Sequence, residues 1–528
     1  MPVAPVPPDQ RPNVLFVICD DLNNAVTNMG RVPSAPTPNL ERIMSAGVRF
    51  PNAQCNSPIC LPSRSSLFSG LYPHTTGHFT LWDHWRTSTP LATTGLYTHP
   101  NWGKTLLRDA VMMPRHFKDN GYAVYGVGKV LHEGVVDPSW WTDYGHGPDY
   151  GPMLWDRDAN AQVGRPDREW LYDGEPFASY VRRYEGIDRF FLNGRRIAHH
   201  IEKCFGPLAD VFTGEIDEAV DGRQQPFHYT DDSNRDLLPD EKSAAWAVDV
   251  LQRDHNTPFF LSVGFMKPHT PLNAPQEYFD RFPLDEIELP PQLKDDLADC
   301  ARALIEHRPY GFLTYGLLLK RGEAVWREWL QAYLACVAFM DDQLGKILDA
   351  LDGSPYRDNT IIVFTSDNGY HMGEKEYIFK DSLWEESCQV PLVISAPGVS
   401  ARNGECRLPV SLIDVYPTLN DLCGLALEPH TGTSGIALEG KSLRTLLRTP
   451  AADAWEGPPV ALTSVRGDTG VHHTVRSKTH RYTLCGNGEE ELYDHRTDPH
   501  EWHNLARRED TESLAQELRA EMMKLLWP

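Results

Sequence analysis

The sequence predicts an α/β fold: a large domain over residues 1–450 and a small α+β domain over 451–528. Two observations predict the large domain. Apolar, β-branched runs recur along the chain with helical patterns between them, and four of these runs stop abruptly at residues suited to chemistry. A third observation predicts the small domain, where short strand-like runs end in one amphipathic stretch.

In chain order, Val14 to Cys19 is a continuous apolar run that reads as a strand buried on both faces, and it ends in Asp20-Asp21. Taken alone, that acidic pair suits either a metal or a solvated turn. Pro38 to Gly47 reads as a helix, and Phe50 to Cys55 lead into Cys60-Leu61-Pro62-Ser63-Arg64. There Pro62 suits a first helical position and Gly70 a stop. His74 to His99 is rich in Trp, His, Tyr and Thr, as a substrate-facing loop or a packing surface would be. Thr105 to Asn120 predicts a helix, and Tyr122 to Val127 a second strand delivering Gly128-Lys129 and His132.

From 138 to 240 the periodicity fades, which predicts an irregular insertion, and a second is expected at 285–330. Between them, Glu241 to Arg253 restores helical character, and Phe259 to Phe265 predicts a third strand followed by Lys267-Pro268-His269. Trp329 to Leu351 carries a helical apolar stripe, and Ile361 to Thr365 is a fourth strand ending in Ser366-Asp367-Asn368-Gly369. Val390 to Ile394 is a further strand and Leu412 to Leu425 a helix. The tail predicts strands at 460–465, 473–476 and 482–484 and a helix over 512–526. In open α/β sheets ligands sit beyond the carboxyl ends of strands. Asp20, Asp21, Lys129, His132, His269, Asp367 and Asn368 are therefore expected to converge.

Composition narrows the function classes. With 41% hydrophobic and 23% charged residues the chain can build a large core. A formal charge of -23 argues against a general nucleic-acid binder. Met1 to Arg11 lacks a basic-then-apolar signal pattern, and no apolar run approaches the roughly 20 residues of a membrane span. The expectation is a soluble, cytoplasmic protein without membrane or nucleic-acid partners, in which homo-oligomers remain open. Ten cysteines without a CxxC pair give no disulfide-framework or zinc signal.

The stretch from Cys55 to Gly77 resembles the signature of the sulfatase family, in which the cysteine of Cys-x-Pro-Ser-Arg is oxidised to formylglycine, the catalytic nucleophile. The rest of the chain resembles the iduronate sulfatase branch most closely. Asp20-Asp21, Gly128-Lys129-Val130-Leu131-His132, Lys267-Pro268-His269, Ala338-Phe339-Met340-Asp341 and Thr365 to Gly369 carry that likeness. It implies an alkaline-phosphatase-like large mixed sheet flanked by helices, and a formylglycine-generating enzyme as maturation partner. It also implies a divalent metal held by Asp20, Asp21, Cys60, Asp367 and Asn368. Their oxygen donors favour Ca²⁺, with Mg²⁺ or Mn²⁺ as alternatives, over zinc.

The roles that follow are expectations. Cys60, as formylglycine, attacks the ester; Arg64 at the helix start and Lys380 hold its oxygens. His269 protonates the leaving alcohol, His132 acts as base, and Lys129 orients the nucleophile. Substrates are expected to be small-molecule or saccharide sulfate esters of arylsulfatase type. A phosphonate monoester or phosphodiester hydrolase is the alternative, because a tetrahedral anion would meet the same groups.

Overall fold

The computed structural model describes residues 11–24, 34–81, 106–132, 134, 137–152, 171–172, 175–176, 205–211, 214–216, 227–307, 310–467 and 469–527. Most of the aromatic stretch from His74 to His99, including Trp82 to Arg86, lies outside the described residues. So does much of the 138–240 insertion.

An eight-stranded mixed sheet organises the large domain. Its strands are β1 (Asn13–Asp20), β2 (Val48–Arg49), β3 (Ala123–Gly128), β4 (Asp143–Tyr144), β5 (Phe259–Pro268), β6 (Thr360–Ser366), β7 (Leu392–Ser395) and β8 (Gly404–Glu405). They lie in the order β8-β2-β7-β6-β1-β5-β3-β4. From β6 to β4 all neighbours are parallel, whereas β7 runs antiparallel to both β6 and β2. Every residue of β1 and β5 is buried, which explains why these strands read as unbroken apolar runs rather than alternating ones.

Helices cover both faces. They include α1 (Pro38–Ala46), α2 (Cys60–Ser69), α3 (Met113–Asp119), α4 (Pro239–Gln252), α5 (Glu323–Asp352) and α6 (Val415–Cys423). One core cluster packs β1, β5 and α5 side chains such as Val17, Val263 and Phe339. The other packs Phe16, Phe68 and Phe260 with the α6 side. Burying one such side chain contributes about 1.5–3 kcal/mol, so the two layers hold the sheet from both sides.

Two local expectations need correction. The 285–330 insertion is irregular only in its first half: residues 285–301 hold one 3-10 turn, whereas Arg302–His307, Tyr310–Arg321 and the first turns of α5 are helical. Pro290-Pro291 fall in the irregular half, and beyond them the side chains of Tyr315 and Leu318 reach the core. The helix predicted over 105–120 splits into a 3-10 turn, Leu106–Asp109, and α3, with Pro114 near the start of the latter.

The tail forms a separate four-stranded antiparallel sheet of β9 (Ala461–Gly467), β10 (Gly470–Arg476), β11 (His480–Leu484) and β12 (Glu490–Asp494), covered by α7 (Glu512–Leu526). It is tied to the large domain through Arg481. This fully buried guanidinium pairs with Glu385 and, at 2.7 Å, Glu501, and donates to Gln54 at 3.0 Å. His495 meets Glu501 at 2.9 Å.

Removing one partner of such a buried pair strands the other charge and costs about 3–5 kcal/mol. Arg481→Met should lower the unfolding free energy by that order in a denaturant titration, while Asp510→Asn, at the exposed Arg508 pair, should leave it unchanged. The pH dependence has a definite sign. Burial raises the Glu501 pKa, but Arg481 and His495 outweigh it and hold the group below its ordinary value. Its contribution is therefore complete above an unfolded pKa of about 4.3 and is lost as pH falls through the lower folded value.

Candidate active site

Four neighbouring parallel strands, β6, β1, β5 and β3, end on the same edge of the sheet, and each delivers polar residues there. Asp20 ends β1, with Asp21 next; Lys129 follows β3, His269 follows β5, and Asp367-Asn368 follow β6. Residues separated by some 350 positions thus meet because register aligns their strand ends. Two glycines make the fit close. A Cβ on Gly264 would lie 2.0 Å from the Lys129 carbonyl carbon, and Gly128 turns at φ +72° to send Lys129 inward.

Helix α2 faces this edge and is buried along its whole length. It begins at Cys60, two residues earlier than Pro62 suggested, so the cysteine is itself the first helical residue and not a flanking one. Pro62 is tolerated there because first-turn N–H groups have no intrahelical acceptor. The helix stops at Gly70, whose φ of 69° closes a bond to the Ser66 carbonyl at 2.7 Å.

Around the Cys60 thiol the contacts are tight. Sγ lies 3.3 Å from Asp20 Oδ1 and 2.8 Å from the Lys380 ammonium. Lys129 pairs with Asp20, Lys380 pairs with Asp21, and Asn368 Nδ2 donates to Asp21 at 2.8 Å. Burial, reinforced by Asp20, pushes the thiol pKa up to about 12, against the pull of Lys129 and Lys380. Such a thiol is protonated at neutral pH, whereas a cysteine nucleophile needs to be a thiolate.

Arg64 departs from its expected role of gripping ester oxygens. Its buried guanidinium donates to Asp367 Oδ2 at 2.7 Å, to the Cys19 and Val130 carbonyls at 3.1 Å each, and to the Lys129 carbonyl. It braces the strand ends and Asp367 from behind. His269 lies nearer the opening, 18% exposed, with Nε2 3.7 Å from Asp21 Oδ2 and Nδ1 2.6 Å from the Thr270 carbonyl. Burial lowers its pKa well below the usual value, with Asp20 opposing. His132 lies half-buried in the turn three residues beyond Lys129.

Several contributors carried no sequence signal. Tyr150 meets His269 edge-on at 5.3 Å, and the Lys129 ammonium sits 4.9 Å from its ring centre. Tyr333, within the apolar stripe of α5, sends its hydroxyl to the Asp21 carbonyl at 2.5 Å. Lys267, by contrast, turns to Asn273 Oδ1 at 2.9 Å and the Pro271 carbonyl, so in Lys267-Pro268-His269 only the histidine joins the cluster.

The donor set fits a hard divalent cation. One ligand atom each from Asp20, Asp21, Cys60 and His269 lie within 4.8 Å of one another. Asn368 Oδ1 is buried without a hydrogen-bond partner among the described residues, as an oxygen reserved for a cation would be. Asp367 is engaged differently from the expected ligand set: Oδ2 accepts from Arg64, and Oδ1 from the Asn368 and Asp21 amides. Each carboxylate oxygen has two lone pairs, so Oδ2 retains one.

A buried carboxylate and lysine cluster against a helix-borne cysteine, on the carboxyl edge of a mixed α/β sheet, defines an anionic-ester hydrolase of the alkaline-phosphatase-like fold. Comparison with known proteins makes the class specific: a family model described as "Sulfatase" matches residues 12–425, and the chain belongs to that family. It is a sulfuric ester hydrolase. A second model, described as "N-sulphoglucosamine sulphohydrolase, C-terminal", matches 373–526.

Among curated relatives, a sulfatase of Formosa agariphila is 30% identical, covering 97% of this chain and 87% of its own. Human iduronate 2-sulfatase is 27% identical, with 82% and 73% covered. Two solved structures share the fold. One is BT4656 with its substrate D-glucosamine-2-N,6-O-disulfate, at TM-score 0.65, 19% identity and 98% of each chain. The other is a phosphonate monoester hydrolase of Agrobacterium radiobacter, at TM-score 0.66, 20% identity, 98% of this chain and 95% of that one.

Asp20→Ala and Asp367→Ala should each lose divalent metal and turnover together. Elemental analysis of the purified variants checks this, and full metal occupancy in both would reject the ligand assignment.

Proposed function

We propose that the protein hydrolyses sulfate esters of small alcohols, phenols or saccharides with a formylglycine made from Cys60 and one divalent metal, Ca²⁺ for preference. The carrying observation is the contact of Cys60 with both Asp20 and Lys380 inside an oxygen-rich cluster. The metal would be held by Asp20, Asp21, Asn368, Asp367 and residue 60, and when bound it would supply Lewis-acid polarisation of oxygen at that position. As an aldehyde hydrate, residue 60 would offer one hydroxyl to attack sulfur and a second whose deprotonation frees the sulfate.

The chain's other residues then divide the work. Lys380, 2.8 Å from the residue 60 side chain, holds the sulfate oxygens there, and Lys129, through Asp20, orients the nucleophile. Arg64 fixes Asp367 rather than the substrate. His269 gives its Nε2 proton to the leaving oxygen; an anionic ester beside it offsets the burial that otherwise keeps the imidazole neutral. His132 takes the proton from the second hydroxyl. Tyr150 walls the leaving-group side through His269.

Maturation requires a formylglycine-generating partner. A cytoplasmic setting is supported by the nine described cysteines, all free thiols. No helix among the described residues is long and apolar enough to cross a membrane. That BT4656 was solved with a sulfated glucosamine supports saccharide sulfates as the class to assay first.

Two measurements test the reading. Peptide mass spectrometry should find the Cys60 peptide lighter than its thiol form and reactive towards hydrazides, with activity tracking the converted fraction. Full activity in an unconverted preparation would overturn it. For the acid, His269→Ala should slow esters of poorly acidic alcohols by about 10²–10⁴-fold and esters of acidic phenols far less. Equal losses along a leaving-group series would remove His269 from that role.

A further inference from the structure

Asp21 stands in the left-handed region, uncommon for any residue with a side chain though aspartate enters it more readily than most, with φ at +64°. The turn that carries it is stitched down at each following residue. The Leu22 amide donates to Ser366 Oγ at 3.0 Å, and the Asn23 side chain donates to the Tyr370 carbonyl. The tightest clasp comes from α5, more than 300 positions away. Tyr333 donates its hydroxyl to the Asp21 carbonyl at 2.5 Å and accepts from the Asn23 amide at 2.9 Å, so one oxygen bridges both ends of the turn.

The phenol is 1% exposed, and its ring packs in a triangle with Trp329 and Tyr370, whose centres lie 6.0 and 5.8 Å from it and 6.1 Å from each other. The helix that carries it, α5, is anchored along its length in the core and sets where the ring lies. An apolar side chain would fill the same space. The hydroxyl is therefore the informative part: it sits behind the carboxylate that Lys380 and Asn368 contact from the front.

We propose that Tyr333 is a positioning residue for the metal centre, holding the left-handed turn at Asp21 so that its carboxylate points into the ligand cluster. The inference rests on the reading of Asp20 and Asp21 as metal ligands. Groups that orient ligands from outside typically contribute 10–100-fold in metal affinity.

The test is Mn²⁺ binding to the full chain, stripped with chelator, with free ion counted by EPR. Each preparation is first matched by mass spectrometry for its state at residue 60. Tyr333→Phe keeps the ring and should weaken Mn²⁺ binding by about 10-fold or more, with an altered EPR spectrum of the bound ion. Trp329→Phe disturbs the same stack without touching the hydroxyl and should lower thermal stability while leaving affinity unchanged. Equal affinity in wild type and Tyr333→Phe would overturn the proposal alone, as would equal weakening by Trp329→Phe. Absence of Mn²⁺ binding in wild type would instead overturn the metal reading beneath it.

Discussion

One buried cation holds the catalytic edge together. The Arg64 guanidinium has no access to solvent, yet it reaches Asp367 beyond β6, the Cys19 carbonyl in β1, and the Lys129 and Val130 carbonyls beyond β3. It projects from α2, four residues after Cys60. The same side chain therefore fixes where three strand ends lie and where the helix that bears Cys60 lies against them. A lysine could satisfy one of these acceptors well, but it lacks the fork needed for all of them. Desolvating such a charge is costly, and the compensation is geometric: the acceptors that neutralise it are Asp367 and the strand-end carbonyls whose spacing it fixes.

That placement also sets the electrostatics. Asp20, Asp21 and Asp367 carry three negative charges, and Arg64, Lys129 and Lys380 carry three positive ones. Balance on paper is not balance in place, because every one of these groups is buried. Burial together with Asp20 pushes the Asp367 pKa up despite Arg64, which shows how incompletely the cations satisfy the crowded carboxylates. An oxygen-rich cluster of this kind has room for a divalent ion's charge. An anionic ester then finds a centre able to accept its charge, which a neutral pocket of equal depth would resist.

The strands that build the edge were legible in the sequence because they are buried on both faces, so burial wrote itself as continuous apolar runs. Their sharp polar endings marked Asp20, Lys129, His269 and Asp367 before any geometry was known. Orientation was not legible. Arg64 stands in a motif that invites an oxyanion role, but which way a guanidinium points depends on carbonyls contributed by distant strands. Tyr150 and Tyr333 were invisible for a related reason: a tyrosine in an apolar helix stripe or a loop looks like packing until its hydroxyl or ring meets a site residue. The helices within 302–321 were missed because short helices between charged loops give little periodicity.

The thiol at position 60 completes the physical picture. Helix N-termini and nearby lysines ordinarily lower a cysteine's pKa, and Cys60 has both. Burial and the Asp20 carboxylate at 3.3 Å nonetheless outweigh them and push the thiol up to about 12. The site is thus hostile to a sulfur anion while its lysines and carboxylates are arranged to hold oxygen. On the proposed conversion, a pair of hydroxyls would replace a group that this environment keeps protonated with one that its donors and acceptors could grip from both sides. The cluster therefore suits the proposed formylglycine better than the cysteine that the gene encodes.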